Sequence, residues 1–331
     1  MTRRIRLSLA AVGCASALLL TACGGQTSPA APSSDAASSA ASSDGTSAGL
    51  SGSVAADGSS TVAPLTEAAA DKFRDVEAGI NVTVATSGTG GGFQKFCAGE
   101  TDISNASRAI KDEEAQACAD AGIEFTEIIM ANDGLAVVIN PENDWAECLT
   151  VEQLQAMWAP ESEGQIMNWN QIDPSFPDQA LTLFGAGTDS GTFDYFTDAI
   201  NGEEGASRTD YAPSEDDNIT IQGVSGDKGA VGYFGLSYVE ENPDIIKAVQ
   251  VDNGAGCVAP SKETVQSGEY APLSRPLFIY VANNAYTEKP QVKSFVDFYV
   301  ENEAEIAESA LFVGLTEEQK ATALEELASL S

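Results

Sequence analysis

Four short loops of serine, threonine and glycine constrain this chain more than any other feature, because each stands between a strand-like and a helix-like run. They are Gly58–Thr61, Ser87–Gly92, Ser104–Arg108 and Gly187–Thr192. Gly52–Ala56 leads into the first, and Val62–Arg74 after it shows helical spacing. Ile80–Ala85 reads as a strand before the second, and Phe93–Ala98 as an amphipathic helix after it. An acidic helix containing Lys111–Ala121 follows the third. The fourth lies between a strand at Ala180–Phe184 and a helix at Phe193–Ile200. Such alternation predicts an α/β architecture. Phe125–Asn140 is long and apolar, as suits a strand passing between lobes, and a strand around Leu277–Val281 brings the chain back. Further signals are a helix at Leu149–Trp158, a strand at Val231–Gly235, Pro290 opening a helix, and a capping box at Thr316 and Gln319.

The first residues combine a basic start, an apolar run at Leu7–Leu20 and small residues before Cys23, the pattern of a secretory signal. Leu20-Thr-Ala-Cys23 resembles the bacterial lipoprotein box, which implies a lipid on Cys23 and an extracytoplasmic domain anchored to the cell membrane. Residues 24–53 are rich in Ala, Ser and Gly, with no aromatic and no basic residue, and read as a disordered tether. From Val54 the composition becomes globular, over a length that favours two lobes.

Apart from Cys14 and Cys23, four cysteines remain, an even number that outside the cytoplasm suggests two disulfides. The alternative, a zinc site, is disfavoured because the chain has no histidine and no Cys-x-x-Cys pair. The formal charge of −34 argues against nucleic acid. It does not exclude an anion, which a buried site holds with backbone N–H groups and hydroxyls. Glycine lets the backbone approach such an anion, and hydroxyls donate to it. Without histidine there is no base for a serine nucleophile, and no Gly-x-Ser-x-Gly turn stands in a convincing context. We therefore expect no enzyme, no metal and no cofactor. Serine- and glycine-rich turns are also common structural features, so the weight lies on four of them at comparable positions.

Gly58-Ser-Ser-Thr-Val-Ala-Pro64, Asp102-Ile-Ser-Asn-Ala-Ser-Arg108, Gly187-Thr-Asp-Ser-Gly-Thr-Phe193 and Gly226-Asp-Lys-Gly-Ala-Val-Gly-Tyr-Phe-Gly235 together resemble the phosphate-binding proteins of high-affinity phosphate ABC transporters. The likeness runs in order over nearly the whole mature domain. It implies a two-lobed periplasmic-binding-protein fold of type II-like architecture, with phosphate in the interlobe cleft. The implied partners are inorganic phosphate and the permease and ATPase subunits of the transporter, with the chain itself a monomer. On this reading residues 1–23 are the signal, 54–133 and 276–331 form lobe one, and 134–275 form lobe two. Carried over residue by residue, Ser60, Thr61, Ser87, Ser190, Gly191 and Thr192 fall on family ligand positions. Two positions depart: Ala186 stands where the better-known branch has arginine, and Ser107 where it has aspartate. Arg108 is our candidate for the missing charge, against a surface or inter-loop salt bridge. Asp189 is our candidate acceptor of the phosphate proton, against a turn-stabilising carboxylate. We expect Cys97 to pair with Cys118 and Cys148 with Cys257. A different ligand (sulfate, molybdate or a sugar) and a surface lipoprotein without transport remain rival readings.

Overall fold

The computed structural model describes residues 49–330. The expected signal segment, the expected lipidation site Cys23 and the tether as far as residue 48 lie outside the described residues. The chain runs through β1 (Gly52–Gly58), α1 (Ala63–Phe73), β2 (Ile80–Ala85), α2 (Gly88–Cys97), β3 (Ile103–Ala106) and α3 (Asp112–Ala121). Strand β4 (Phe125–Ile139) follows, then β5 (Cys148–Thr150), α4 (Val151–Trp158), β6 (Thr182–Ala186) and α5 (Gly191–Asn201). Next come β7 (Ala212–Ser214), α6 (Asp217–Gly226), β8 (Ala230–Gly235) and α7 (Leu236–Glu241). Short strands β9 (Lys247–Ala248), β10 (Gln250–Asp252) and β11 (Cys257–Val258) and helix α8 (Lys262–Gln266) precede β12 (Ser274–Ala282). Helices α9 (Asn283–Glu288), α10 (Pro290–Glu301), α11 (Glu303–Ser309) and α12 (Glu317–Ser329) complete it. Gly52 and Ser53, assigned to the tether from sequence, already pair with Ile80 and Asn81 in β1.

The main sheet has the order β2-β1-β3-β12-β4-β8-β6-β7, with β9 beside β4. Strand β4 is the common thread. It pairs antiparallel with β12 from Phe125 to Gly134, and with β8 from Leu135 to Ile139. Its buried apolar residues divide at the same place. Ile128, Met130 and Ala131 join a core with Val54, Phe73, Phe93, Ile279, Phe295 and Tyr299. Leu135–Ile139 join a second core with Trp158, Trp169, Phe196, Tyr233 and Phe234. Between them Asn132, Asp133 and Gly134 contribute little apolar surface. The result is a two-lobed α/β fold.

Each core has its own ties. In the first, Thr66 donates to Asn105 Oδ1 at 2.9 Å and shares a 3.2 Å hydrogen bond with the Tyr299 hydroxyl, joining α1, β3 and α10. In the second, Phe196 stacks on Tyr233 at 3.7 Å and Trp158 meets both rings edge-on; such pairs add roughly 0.5–1.5 kcal/mol beyond burial. One disulfide joins Cys97 to Cys118, linking α2 to α3, and the other joins Cys148 to Cys257, linking β5 to β11. Midway along β4, where the two cores part, the Asn132 side chain exchanges hydrogen bonds with Gln319 at 3.0 and 3.1 Å. Gln319 also closes the capping box with Thr316 at the start of α12.

Candidate ligand-binding site

A cavity of about 950 Å³ opens between the two cores. One wall is formed by the turns that follow β1 and β3, carrying Ser59–Thr61 and Ser107–Ala109 with Lys111, and by the first residues of α2, Gly88–Gly90. The facing wall is α5 and the turn after it, with Asp194, Tyr195, Asp198 and Glu204. Strand β12 supplies the third side through Ser274 and Arg275.

The first turn is held tightly. Gly58 has φ +143°, and a side chain there would meet the backbone of Asn105. The Ser59 N–H donates to the Asn105 carbonyl at 2.9 Å, so β3 anchors the turn that presents Ser60 and Thr61. Across the cavity, Thr61 Oγ1 donates to the Gly191 carbonyl at 3.3 Å. A Cβ added to Gly191 would lie 2.6 Å from Thr61 Oγ1 and 2.8 Å from its nitrogen. The starts of α1 and α5, one from each core, therefore meet here, and only glycine allows that approach. Neither the Thr61 nor the Gly191 N–H is engaged among the described residues, and helix starts of this kind favour negative charge.

Of the nine expected binding residues, the structure brings Ser60, Thr61, Ser107 and Arg108 into the cavity wall. Ser107 Oγ lies 3.1 Å from Thr89 Oγ1. Gly191 touches the wall through Thr61, whereas Ser190 is occupied as the cap of α5, accepting from the Thr192 N–H at 3.1 Å. Ser87 is exposed at the start of α2, and its N–H and hydroxyl both donate to Asp57, at 3.0 and 2.8 Å. Burial pushes the Asp57 carboxyl up, but the Lys95 ion pair and the Ser87 hydrogen bonds outweigh it and hold it below the ordinary range. Asp189 is exposed and does not line the cavity.

Arg108 is engaged elsewhere. Its Nη1 and Nη2 donate to the two carboxylate oxygens of Glu114, each at 2.8 Å, and Nη1 also reaches the Ala109 carbonyl. Glu114 in turn accepts from the Lys111 N–H at the start of α3. Burial raises the Glu114 carboxyl, but Arg108 and the Lys111 N–H together hold it below its ordinary value. Arg108 thus forms a salt bridge with a residue of α3 while lining the cavity.

Of the charged wall residues that sequence reasoning missed, Asp194 and Arg275 are the two that are not exposed. Asp194 sits in the first turn of α5 and faces Ser60 across the cavity. Burial raises its carboxyl, with Glu204 adding and Arg275 and Ser60 opposing. Arg275 lies on β12 directly opposite Asp133 on β4. Its Nε donates to Asp133 at 3.2 Å, its Nη2 donates to Thr61 Oγ1 at 3.0 Å, and its guanidinium lies 3.5 Å from the centre of the Tyr195 ring. Burial drives the Asp133 carboxyl above its ordinary value, with the Arg275 charge pulling the other way. The available signal was positional: Arg275 falls at the expected return from one lobe to the other. Among the described residues no cluster of His, Cys, Asp and Glu is able to hold a metal ion.

Two lobes joined by paired crossing strands, with a polar cavity between them, define a solute-binding architecture. A family described as the PBP superfamily domain matches residues 36–303, and the chain belongs to that superfamily. It is 49% identical to Protein SphX of Synechocystis sp. over 80% of this chain and 79% of that protein. It is 37% identical to Phosphate-binding protein PstS of Staphylococcus saprophyticus, over 80% of this chain and 81% of the other. The crystal structure of a possible phosphate binding protein from Planctomyces limnophilus superposes with a TM-score of 0.81 at 45% identity. That match covers 85% of this chain and 99% of that one.

Proposed function

We infer that this chain is an extracytoplasmic receptor that captures inorganic phosphate in the cavity between its lobes. It delivers the ion to the permease and ATPase subunits of an ABC transporter, while a lipid on Cys23 keeps it at the membrane. The chain is a binding protein, not an enzyme. The observation that carries the reading is the meeting of Thr61 and Gly191, which sets two helix starts and their unengaged N–H groups at one place in the cavity. The hydroxyls of Ser60 and Ser107 add donors to the same wall. The names of the relatives, phosphate-binding protein among them, support the choice of anion.

The lobes divide near residues 133/134 and 275/276, a division supported by where the two cores part. Selectivity over sulfate rests on a carboxylate in the wall: monohydrogen phosphate has a proton to donate to Asp194, and sulfate at neutral pH has none. Calorimetric titration tests the reading. One phosphate is expected per chain, with sulfate far weaker; an absence of phosphate binding by stripped protein would sink it.

A further inference from the structure

A dianion in a desolvated cleft needs a positive charge as well as dipoles, and three cations line this cavity: Arg108, Lys111 and Arg275. Lys111 is exposed at the rim, where water screens it. Arg108 has both terminal nitrogens committed to one carboxylate, so it brings a neutral pair to the wall. Arg275 differs in three ways. Its side chain is only 16% exposed, so its charge acts through little water. Its Nη1 has no hydrogen-bond partner among the described residues, and the residue lines the cavity. Its neutralising partner Asp133 is buried at 7% side-chain exposure and holds it through Nε alone, leaving the two terminal nitrogens clear of that carboxylate. Beside it, the buried Ser274 hydroxyl lines the same cavity and also lacks a partner.

We propose that Arg275 is the cation that receives the anion, and that Arg108 is a positioning residue that fixes the Ser107 turn through Glu114. This rests on the phosphate reading above and names the residue that takes the place of the family arginine at Ala186. The Tyr195 ring holds the guanidinium plane from the second lobe, and Thr61 holds it from the first. A guanidinium fixed in this way meets two oxygens of one tetrahedral anion in a geometry that lysine lacks.

The test uses the full chain and phosphate titration, with a thermal melt confirming the fold of each variant. Arg275→Gln is expected to lose about a hundredfold in affinity, and Arg275→Lys about tenfold. Arg108→Gln should stay within about fivefold. Because Arg275→Gln leaves Asp133 buried and unpaired, Asp133→Asn/Arg275→Gln is made in parallel and should lose as much affinity. On the unaltered protein, phosphate should protect Arg275 rather than Arg108 from butanedione, as read by peptide mass; this arm does not depend on any variant folding. Near-normal binding by the double variant, or protection of Arg108 with Arg275 left reactive, overturns the assignment. A wild-type chain that binds no phosphate fails the functional reading itself, and is distinguished by the absence of binding in every protein tested.

Discussion

The first lobe faces the cavity with hydroxyls and backbone amides, from Ser60, Thr61 and Ser107, whereas the second faces it with the carboxylates of Asp194, Asp198 and Glu204. Their internal ties differ too. The first lobe is completed by helices from the far end of the chain, through contacts such as Thr66 with Tyr299; the second is nearly continuous in sequence, with Val313, among the described residues, the one member of its core from beyond β12. Each has one disulfide, and among the described residues none joins the two. Donors on one side and acceptors on the other suit an ion that carries both oxygen lone pairs and a proton. A wall of carboxylates also repels any anion approaching without compensation, which is why the position of Arg275 on the strand between the lobes matters.

The largest effects should separate the lobes from each other. Cys148 and Cys257 are 109 residues apart and Cys97 and Cys118 are 21 apart. In the loop-closure account, replacing both cysteines by alanine costs about 5 kcal/mol for the first pair and about 3 kcal/mol for the second. All three tryptophans pack in or against the second core, so fluorescence in a denaturant titration reports that lobe alone. Loss of Cys148–Cys257 should lower the fluorescence midpoint, while loss of Cys97–Cys118 should lower the circular-dichroism midpoint more than the fluorescence one. Equal falls by both probes would show the lobes unfolding as one unit.

A smaller effect is expected at the contact between them. Gly191→Val places a branched side chain against Thr61, where even a Cβ comes within 2.6 Å. Overpacking of this kind costs about 1–3 kcal/mol, here borne by the approach of the walls. Phosphate affinity should therefore fall about tenfold to a hundredfold while each lobe keeps its melting behaviour. A drop in stability without a loss of binding would place the strain inside the second lobe instead.

The smallest effect concerns the acidity of the second lobe alone. Burial, with Asp216 and Glu215 nearby, pushes Asp217 from its ordinary 3.8 up to about 6. The folded chain thus holds this proton more tightly than the unfolded one does. Its contribution to stability is fully present below pH 3.8 and is lost as pH rises through 6. Asp217→Asn should therefore stabilise the protein at pH 8 by on the order of 1–2 kcal/mol, after allowance for partial exposure. Near pH 3.5 it should make no difference. Urea titrations at the two pH values decide the matter, and an equal gain at both would mean that charge is not the cause.

Periodicity and turn chemistry made most of the fold legible. The Ile80–Ala85 strand, the long crossing strand at β4 and the Thr316 capping box all carry local signals that the tertiary structure leaves intact. The small β5-β10-β11 sheet was not legible, because its strands are two or three residues long and are held by pairing and a disulfide more than by pattern. At the site, glycine- and hydroxyl-rich turns marked one wall. Arg275 carries no motif, since Leu273-Ser-Arg-Pro276 gains its meaning only from the register that sets it opposite Asp133. Asp194 was equally silent: its place in the wall follows from the turn at which α5 begins. Arg108 shows the converse, a residue whose sequence neighbours suggested a ligand, while its ion pair with Glu114 of α3 carried no signal of its own.

The discontinuous build of the first lobe has a consequence for how the chain acquires its shape. Phe73 packs against Phe295 and Phe298, and Lys72 reaches Glu305, so more than two hundred positions separate partners within one core. As the chain emerges from its N-terminal end, β1, β2 and β3 appear long before the strand and helices that cover them. The second lobe has most of its partners at hand by the time β12 is made, and so it closes sooner. Contacts this distant in sequence form slowly and leave apolar surface waiting. A chain of this design spends the interval with the turns of its cavity wall waiting for the core that supports them.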